Sequence, residues 1–554
     1  MNATTGRRPR TRRGGRKGAQ SRPRSRRTKK LQSVRVRMYR QGLGDCFLVT
    51  FSNADGQKHH MLIDCGVLPF SKGGNQRLDS IAENILAECG RQLNTVIATH
   101  EHADHISGFK TAAEIFGLDP EKEPNQPVQV EKVWLAWTEN IGDPQVKKII
   151  EKANALSLAI AASVNGMDAE SSQAIEDILL FGGYYLGAEG EMPAATGDGD
   201  QGLLGFKISR TMQDIMDSLR AWGPVEYLEP NDVRKIPEFG LKIYILGPSR
   251  KMRMLGGQAT AGNEAGESLK LSQSTAFLAA AANFSGLKLG DEPETGLSQS
   301  DLDALCAQGM PFDRSRSIPL DDARQEQTPD TTDSEGEKME AAKLQAAYWK
   351  FFKEHYGYKD ETGSYGEEWR RIDTDWLQLG ENLALQQVST VNNTSLVMAI
   401  ELVESGKVLL FCGDAEEESW QTWENENADL DKLLANTVLY KVGHHGSINA
   451  TDQTILTTKM TNKELVAVIP VDMQRAADKK WEMPAKVLYN VSPDPGDPDG
   501  QGLLFTQTAG RVLVNCSDRC MDCDASYDQT LSWPGKVSVD DSEDKLWVDY
   551  LLEL

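Results

Sequence analysis

Thr95-Val96-Ile97-Ala98-Thr99-His100-Glu101-His102-Ala103-Asp104-His105 is the stretch on which the reading of this chain turns. Asn94 to Thr99 has the apolar run of a buried strand. It opens directly into three imidazoles and a carboxylate within six positions. Neutral imidazole nitrogens and carboxylate oxygens are natural zinc ligands, and they also serve manganese or iron. The chain has 8 histidines, so three in one short loop is not the scatter expected of surface residues. A loop leaving a strand can fold these four side chains around two ions.

Upstream, Val34, Val36 and Met38 alternate with Arg35 and Arg37, the period of a half-buried strand, so ordered structure is expected from near Val34. Strands follow at Cys46 to Phe51 and Met61 to Asp64, parted by the polar turn Ser52-Asn53-Ala54-Asp55-Gly56. Ile81, Ile85 and Leu86 predict a helix over Leu78 to Cys89. Downstream come Val133 to Trp137, a helical stretch from Pro144, and a strand from Leu241 to Leu246 that stops at Gly247-Pro248. Residues 250 to 384 read as an insertion. Within it Arg314 to Glu337 is rich in Asp, Glu, Ser, Thr and Pro, the composition of a mobile loop, and Met339 to His355 is helical.

From Asn392 strands return, at Ser395 to Leu402, Lys407 to Cys412, Val438 to Val442, Val466 to Val471 and Leu503 to Val514. Two of them end in potential ligands, Gly413-Asp414 and Gly443-His444-His445-Gly446-Ser447. Strand ends converge at one sheet edge, where Asp414 could bridge two metals while His444 or His445 completes the second. Paired ions of that kind polarise a substrate and generate hydroxide near neutral pH. No repeat of solenoid period is visible.

These segments resemble the metallo-β-lactamase superfamily, and within it the soluble hydrolase domain of ComEC-type DNA-uptake proteins. The matching pieces are Gly42-Leu43-Gly44-Asp45-Cys46, Leu62-Ile63-Asp64-Cys65-Gly66, His100 to Gly108, Asn392-Asn393-Thr394-Ser395-Leu396, Gly413-Asp414 and Lys441 to Ser447. The resemblance implies an α/β fold, a four-layer αββα sandwich with a large insertion. It also implies two divalent ions, zinc or manganese: His100 and His102 on one, Asp104 and His105 on the other, and Asp414 bridging. Asp64 would stand behind a ligand imidazole and orient it. The His-x-Ser form of His445-Gly446-Ser447 favours His445 over His444 as the ligand. Asp104, His445 and Lys441 are expected to carry the chemistry, with Lys441 or Ser447 contacting phosphate oxygens. Lys441 could equally be an exposed strand end.

The expected activity is that of a phosphodiesterase or nuclease. The alternatives are a hydrolase of a small ester or phosphodiester and a catalytically weak partner-binding subunit. Two departures from the family stand out. Many members supply a third histidine to the first metal from mid-chain, where this chain has only His355 in its helical stretch and Asn392 and Asn393 near the expected place. Trp481-Glu482-Met483-Pro484 stands where a Tyr-Gly-His-Pro segment is common.

The formal net charge is −22, yet residues 1–30 hold 13 Lys or Arg and no acid, so the remainder is more acidic still. Such a tail is expected to be disordered and able to hold nucleic acid through its phosphates. Ser25-Arg26-Arg27 lacks a following apolar region, which argues against export, and no 18-residue apolar run suggests a membrane span. Cys46, Cys65, Cys89 and Cys412 sit in apolar segments as free thiols would, consistent with a cytoplasmic protein. Cys516, Cys520 and Cys523 lack an evident fourth ligand and read as free thiols on a late loop. The expected organisation is a basic tail (1–30), a first half (31–249), the insertion (250–384), a second half (385–515) and a C-terminal extension (516–554), with the insertion a candidate protein-binding element.

Overall fold

The computed structural model describes residues 30–68, 74–119, 127–147, 149–150, 202–203, 206–207, 211–251, 379–490, 501–515 and 528–554, with single positions at 172, 173, 175, 178, 343, 347 and 350. The basic tail up to residue 29, the acidic stretch Arg314 to Glu337, His355 and the Cys516-Cys520-Cys523 group lie outside the described residues.

The first half supplies strands β1 (Leu31–Tyr39), β2 (Cys46–Asn53), β3 (Lys58–Cys65), β4 (Thr95–Ala98), β5 (Val133–Ala136), β6 (Val225–Leu228), β7 (Val233–Ile236) and β8 (Leu241–Gly247). Its helices are α1 (Gly74–Cys89), α2 (Ala103–Thr111) and α3 (Thr211–Trp222). The second half begins with α4 (Leu379–Asn392) and continues through β9 (Val397–Leu402), β10 (Lys407–Phe411), α5 (Glu417–Glu426), α6 (Leu430–Ala435), β11 (Thr437–Lys441), α7 (Gln453–Thr458), β12 (Val466–Ile469), α8 (Leu503–Thr508) and β13 (Val512–Val514). The stretch expected as an extension adds β14 (Lys536–Val539) and β15 (Trp547–Glu553). No helix among the described residues is long and apolar enough to cross a membrane.

Two large sheets result, one ordered β6-β5-β4-β3-β2-β1-β15-β14 and the other β7-β8-β9-β10-β11-β12-β13, beside two short two-stranded ladders. Each runs through antiparallel pairs and then turns parallel: β1/β2 and β2/β3 give way to β3/β4, β4/β5 and β5/β6, as β8/β9 and β9/β10 give way to β10/β11, β11/β12 and β12/β13. This shared order of pairings is the symmetry between halves that the residue pattern hides.

Three apolar cores lie between four layers. The middle one is built from inward residues of both sheets, such as Val36, Phe47, Val49, Ile63 and Ile97 against Ile243, Met398, Ile400, Leu409 and Phe411. Phe47 and Phe411 meet edge to face with centroids 5.8 Å apart. Alternate residues of the same strands, Leu48, Leu62, Val96 and Leu135, pack outward against Leu78, Ile81 and Ile85 of α1, Phe109 of α2 and Ile215 of α3. On the far side, Ala399, Leu410, Tyr440 and Ala467 pack against Trp420, Trp423, Leu433 and Leu456. Strands covered on both faces lose the apolar-polar alternation, which is why β4 and β11 read as continuous apolar runs. Burying each large apolar side chain in these layers contributes about 1.5–3 kcal/mol. The αββα sandwich is therefore as expected.

One local expectation is corrected. Leu503 to Val514 is not a continuous strand, since Leu503–Thr508 is helical and only Val512–Val514 pairs in the sheet. Leu504 and Thr508 are both buried at helical spacing, and Ala509 and Gly510 adopt positive φ and end the helix before the strand begins.

Candidate metal centre

Parallel neighbours end at the same edge of a sheet. Asp64 lies at the end of β3 and His100–His105 just beyond β4, while Asp414 follows β10 and His444-His445 follow β11. The sandwich brings these two edges together. Nε2 of His445 is 2.8 Å from Oδ2 of Asp104. Oδ2 of Asp414 is 3.1 Å from Nε2 of His105 and 3.3 Å from Nε2 of His445. Beside them, Nε2 of His100 and Nδ1 of His102 are 3.0 Å apart. His100, His102, Asp104, His105, Asp414 and His445 thus form one buried cluster.

The far sides of the imidazoles are fixed by hydrogen bonds. Nδ1 of His105 is 2.9 Å from Oδ2 of Asp64, whose carboxylate also accepts from the backbone N–H and the hydroxyl of Thr99. Nδ1 of His445 is 2.8 Å from the Pro470 carbonyl. A carbonyl or carboxylate at Nδ1 holds a proton there, so Nε2 is the nitrogen that would coordinate a metal. Nδ1 of His100 lies 3.2 Å from the Ser395 hydroxyl, which also accepts the Asp414 amide.

Asp45 is the residue that reasoning from sequence left without a role. It stands behind the imidazoles, 3.8 Å from Nδ1 of His105 and 3.6 Å from Nδ1 of His445. It also pairs with Lys441. Lys441 is no exposed strand end: its ammonium contacts Oδ2 of Asp45 at 2.5 Å, the Gly413 carbonyl at 2.7 Å and Oδ1 of Asp414 at 3.2 Å. Those contacts engage all three N–H donors of the ammonium. The signal available in the sequence was the Gly-Leu-Gly-Asp turn, which is built for close approach. Gly44 has φ +149, and a Cβ there would lie 2.4 Å from the Asp104 carbonyl oxygen, while one on Gly66 would lie 2.3 Å from the Asp104 carbonyl carbon. Only glycine lets these loops pack against the start of α2.

His444 is set apart from His445. Its side chain is 11% exposed, with Nδ1 2.9 Å from the Ser447 hydroxyl and 3.6 Å from Glu416, and Nε2 3.4 Å from Nδ2 of Asn392. The Ser447 hydroxyl is thereby engaged with His444 and Asn449. Asn392 donates to Glu416, and Asn393 accepts from the Glu416 amide. Met483 is partly buried against the outer core, and Ala485 donates to the Gly446 carbonyl. Asp64, His444 and His445 all adopt φ between 40° and 56°. Non-glycine residues held there cost on the order of 1–3 kcal/mol each and concentrate at functional sites.

Burial, with neighbouring imidazoles, drives His100 well down and His102 down to about 4, so both are neutral at pH 7. Burial opposes a charge on His105 as well, but Asp414, Asp45, Asp104 and Asp64 together raise it. Asp414 is lowered against its burial by His105, His445 and Lys441. A centre so rich in carboxylate calls for positive charge.

Buried polar atoms without hydrogen bonds, Nε2 of His102 and Oδ1 of Asp104, border the cluster. Ligand atoms of Asp45, His105, Asp414 and His445 all lie within 4.8 Å of one another. The residues present fit a divalent metal. Residues 39–151 match the family model of the metallo-beta-lactamase superfamily. No curated protein and no solved structure matches the chain. Family model and donor cluster together indicate a metal-dependent hydrolase.

Proposed function

We propose that this chain is a phosphodiesterase acting on nucleic acid. The observation that carries the reading is the convergence of Asp104, His105, Asp414 and His445, two residues from each half, on one buried point. Bound divalent metal would supply a Lewis acid and lower the pKa of coordinated water. The chain's own residues do the rest. His105 and His445 are locked in one tautomer by Asp64 and the Pro470 carbonyl, so their Nε2 atoms stay aimed. Lys441 acts as a positioning residue that holds Asp414 in place. His444, held by Ser447, Glu416 and Asn392, is left out of the donor set.

Support for a phosphodiester substrate comes from the likeness of the motifs to ComEC-type domains and from the 13 basic residues of 1–30, which can neutralise phosphates. A second reading, a small phosphodiester or ester, is favoured by the net charge of −22, which repels a polyanion. Cytoplasmic residence and a protein partner for 250–384 belong to the same proposal.

The test is cleavage of labelled single- and double-stranded DNA, RNA and bis-p-nitrophenyl phosphate with added zinc or manganese. Turnover is expected to need metal and to vanish in Asp104→Ala/His105→Ala. Removing residues 1–30 is expected to slow polymer cleavage and spare the small diester. Absence of turnover by metal-loaded protein on every one of these substrates would sink the proposal.

A further inference from the structure

The two ends of the buried cluster differ in what they offer an ion. At one end stand Nε2 of His105, Nε2 of His445, Oδ2 of Asp104 and Oδ2 of Asp414, with separations of 2.8–3.3 Å along the chain of contacts Asp104–His445–Asp414–His105. Both imidazoles there have their tautomers set. At the other end, among the described residues, only His100 and His102 face each other.

Among the described residues nothing nearby makes up the shortfall. His444, the next imidazole among the described residues, is turned to Ser447, Glu416 and Asn392. Asn392 gives its Nδ2 to Glu416 and has only a buried amide carbonyl, without a hydrogen bond, to present. An amide oxygen is a weaker donor to zinc than an imidazole.

Asp414 is the remaining source. Its Oδ1 accepts from Lys441, and that ammonium is locked by Asp45 and by the Gly413 carbonyl, with both charged side chains buried. Its Oδ2 lies between Nε2 of His105 and Nε2 of His445, so Asp414 belongs to the four-donor end.

We propose that the chain holds one divalent ion tightly at Asp104, His105, Asp414 and His445 and a second only weakly at His100 and His102, because four donors converge at the first end while, among the described residues, no third imidazole joins the histidine pair. The inference rests on the metal reading of the site and is independent of the substrate. It makes the second ion a dissociable one, and occupancy of the His100–His102 end then depends on the free metal concentration.

The test is metal counting on the full-length protein, loaded with excess zinc or manganese and dialysed against metal-free buffer, by elemental analysis and native mass spectrometry. One retained equivalent is expected. Calorimetric titration should then show a second event with a Kd at least about 100-fold higher, the scale on which losing support for a ligand lowers metal affinity. His100→Ala/His102→Ala is expected to keep the retained ion and abolish the second event, and Asp104→Ala/His445→Ala to lose the retained ion. Two equivalents retained by the wild-type protein would overturn the inference and leave the hydrolase reading standing. No retained metal and no binding on titration would overturn both. The wild-type count decides the matter even if a variant fails to fold.

Discussion

Lys441 and Asp45, from opposite sheets of the sandwich, form an ion pair of 2.5 Å inside the metal centre, with side chains only 1% and 2% exposed. Removing one member leaves the other charged and buried. Lys441→Met is therefore expected to destabilise the metal-free protein by roughly 3–5 kcal/mol, measured as a shift in the urea midpoint. Adding Asp45→Asn should recover much of the loss, because the uncompensated carboxylate is gone. A single variant as stable as wild type would show that the pair contributes nothing.

Asp64 reaches the centre only through His105 and Thr99. Asp64→Asn preserves its size but weakens the acceptor that fixes the His105 tautomer. A loss of about 10–100-fold in metal affinity is expected, read by competition with a chromogenic chelator. Unchanged affinity would mean that His105 orients itself.

Gly66 tests the packing behind the cluster. A methyl group there would stand 2.3 Å from the backbone of Asp104 and of His105. Gly66→Ala is expected to displace the start of α2 and abolish the tight ion, while Gly56→Ala, where nothing lies within 4 Å, serves as a control for adding a methyl in open space. Since Gly56 has φ +75, a modest stability loss there is expected, with metal binding intact.

His59 gives a pH dependence separate from the centre. Burial first, then His60 and Lys132, lowers its pKa to about 4 from an ordinary value of 6.5. As pH falls from 6.5 the unfolded chain takes up a proton that the folded His59 refuses, so stability is lost progressively down to about pH 4. The ring packs between Phe51 and Phe239. His59→Phe should therefore be tolerated and make the urea midpoint fall less between pH 7 and pH 5 than it does in wild type. Identical pH profiles would refute the assignment.

Arg37 and Asp549 make a two-pronged buried pair, with bonds of 2.7 and 2.8 Å. Asp549→Ala is expected to cost about 3–5 kcal/mol, and a lower denaturation temperature should report it. Arg37→Met/Asp549→Leu should be far milder than the single change.

Much of the centre was legible because strand-then-ligand is a local pattern. Each of β4, β10 and β11 is an apolar run that stops at its functional residues, so His100–His105, Asp414 and His445 could be found one segment at a time. Asp45 and Lys441 could not be paired that way. Each sits at the end of an apolar segment as a charge with no visible partner, and only the meeting of two sheets brings them together. The His-x-Ser spacing already favours His445 over His444, and the structure adds the Pro470 carbonyl behind the His445 ring, which no spacing reveals. In the fold, β14 and β15 escaped because a strand is recognised by its own alternation, and the reason Trp547–Glu553 belongs to the sandwich is β1, at the other end of the chain. Leu503–Thr508 was misread because a short apolar run has no period of its own to separate helix from strand.

The pairing of β1 with β15, Ser33 opposite Glu553 through Tyr39 opposite Trp547, also sets a schedule for biosynthesis. The strand β1 leaves the ribosome with one edge awaiting a partner about 500 residues downstream. At about 5–20 residues per second that edge stays open for roughly half a minute to two minutes. Throughout that time it can recruit strands from other nascent chains. Closure of the sandwich thus waits for that distant segment, and yield in a cell should respond to whatever shields β1 during synthesis.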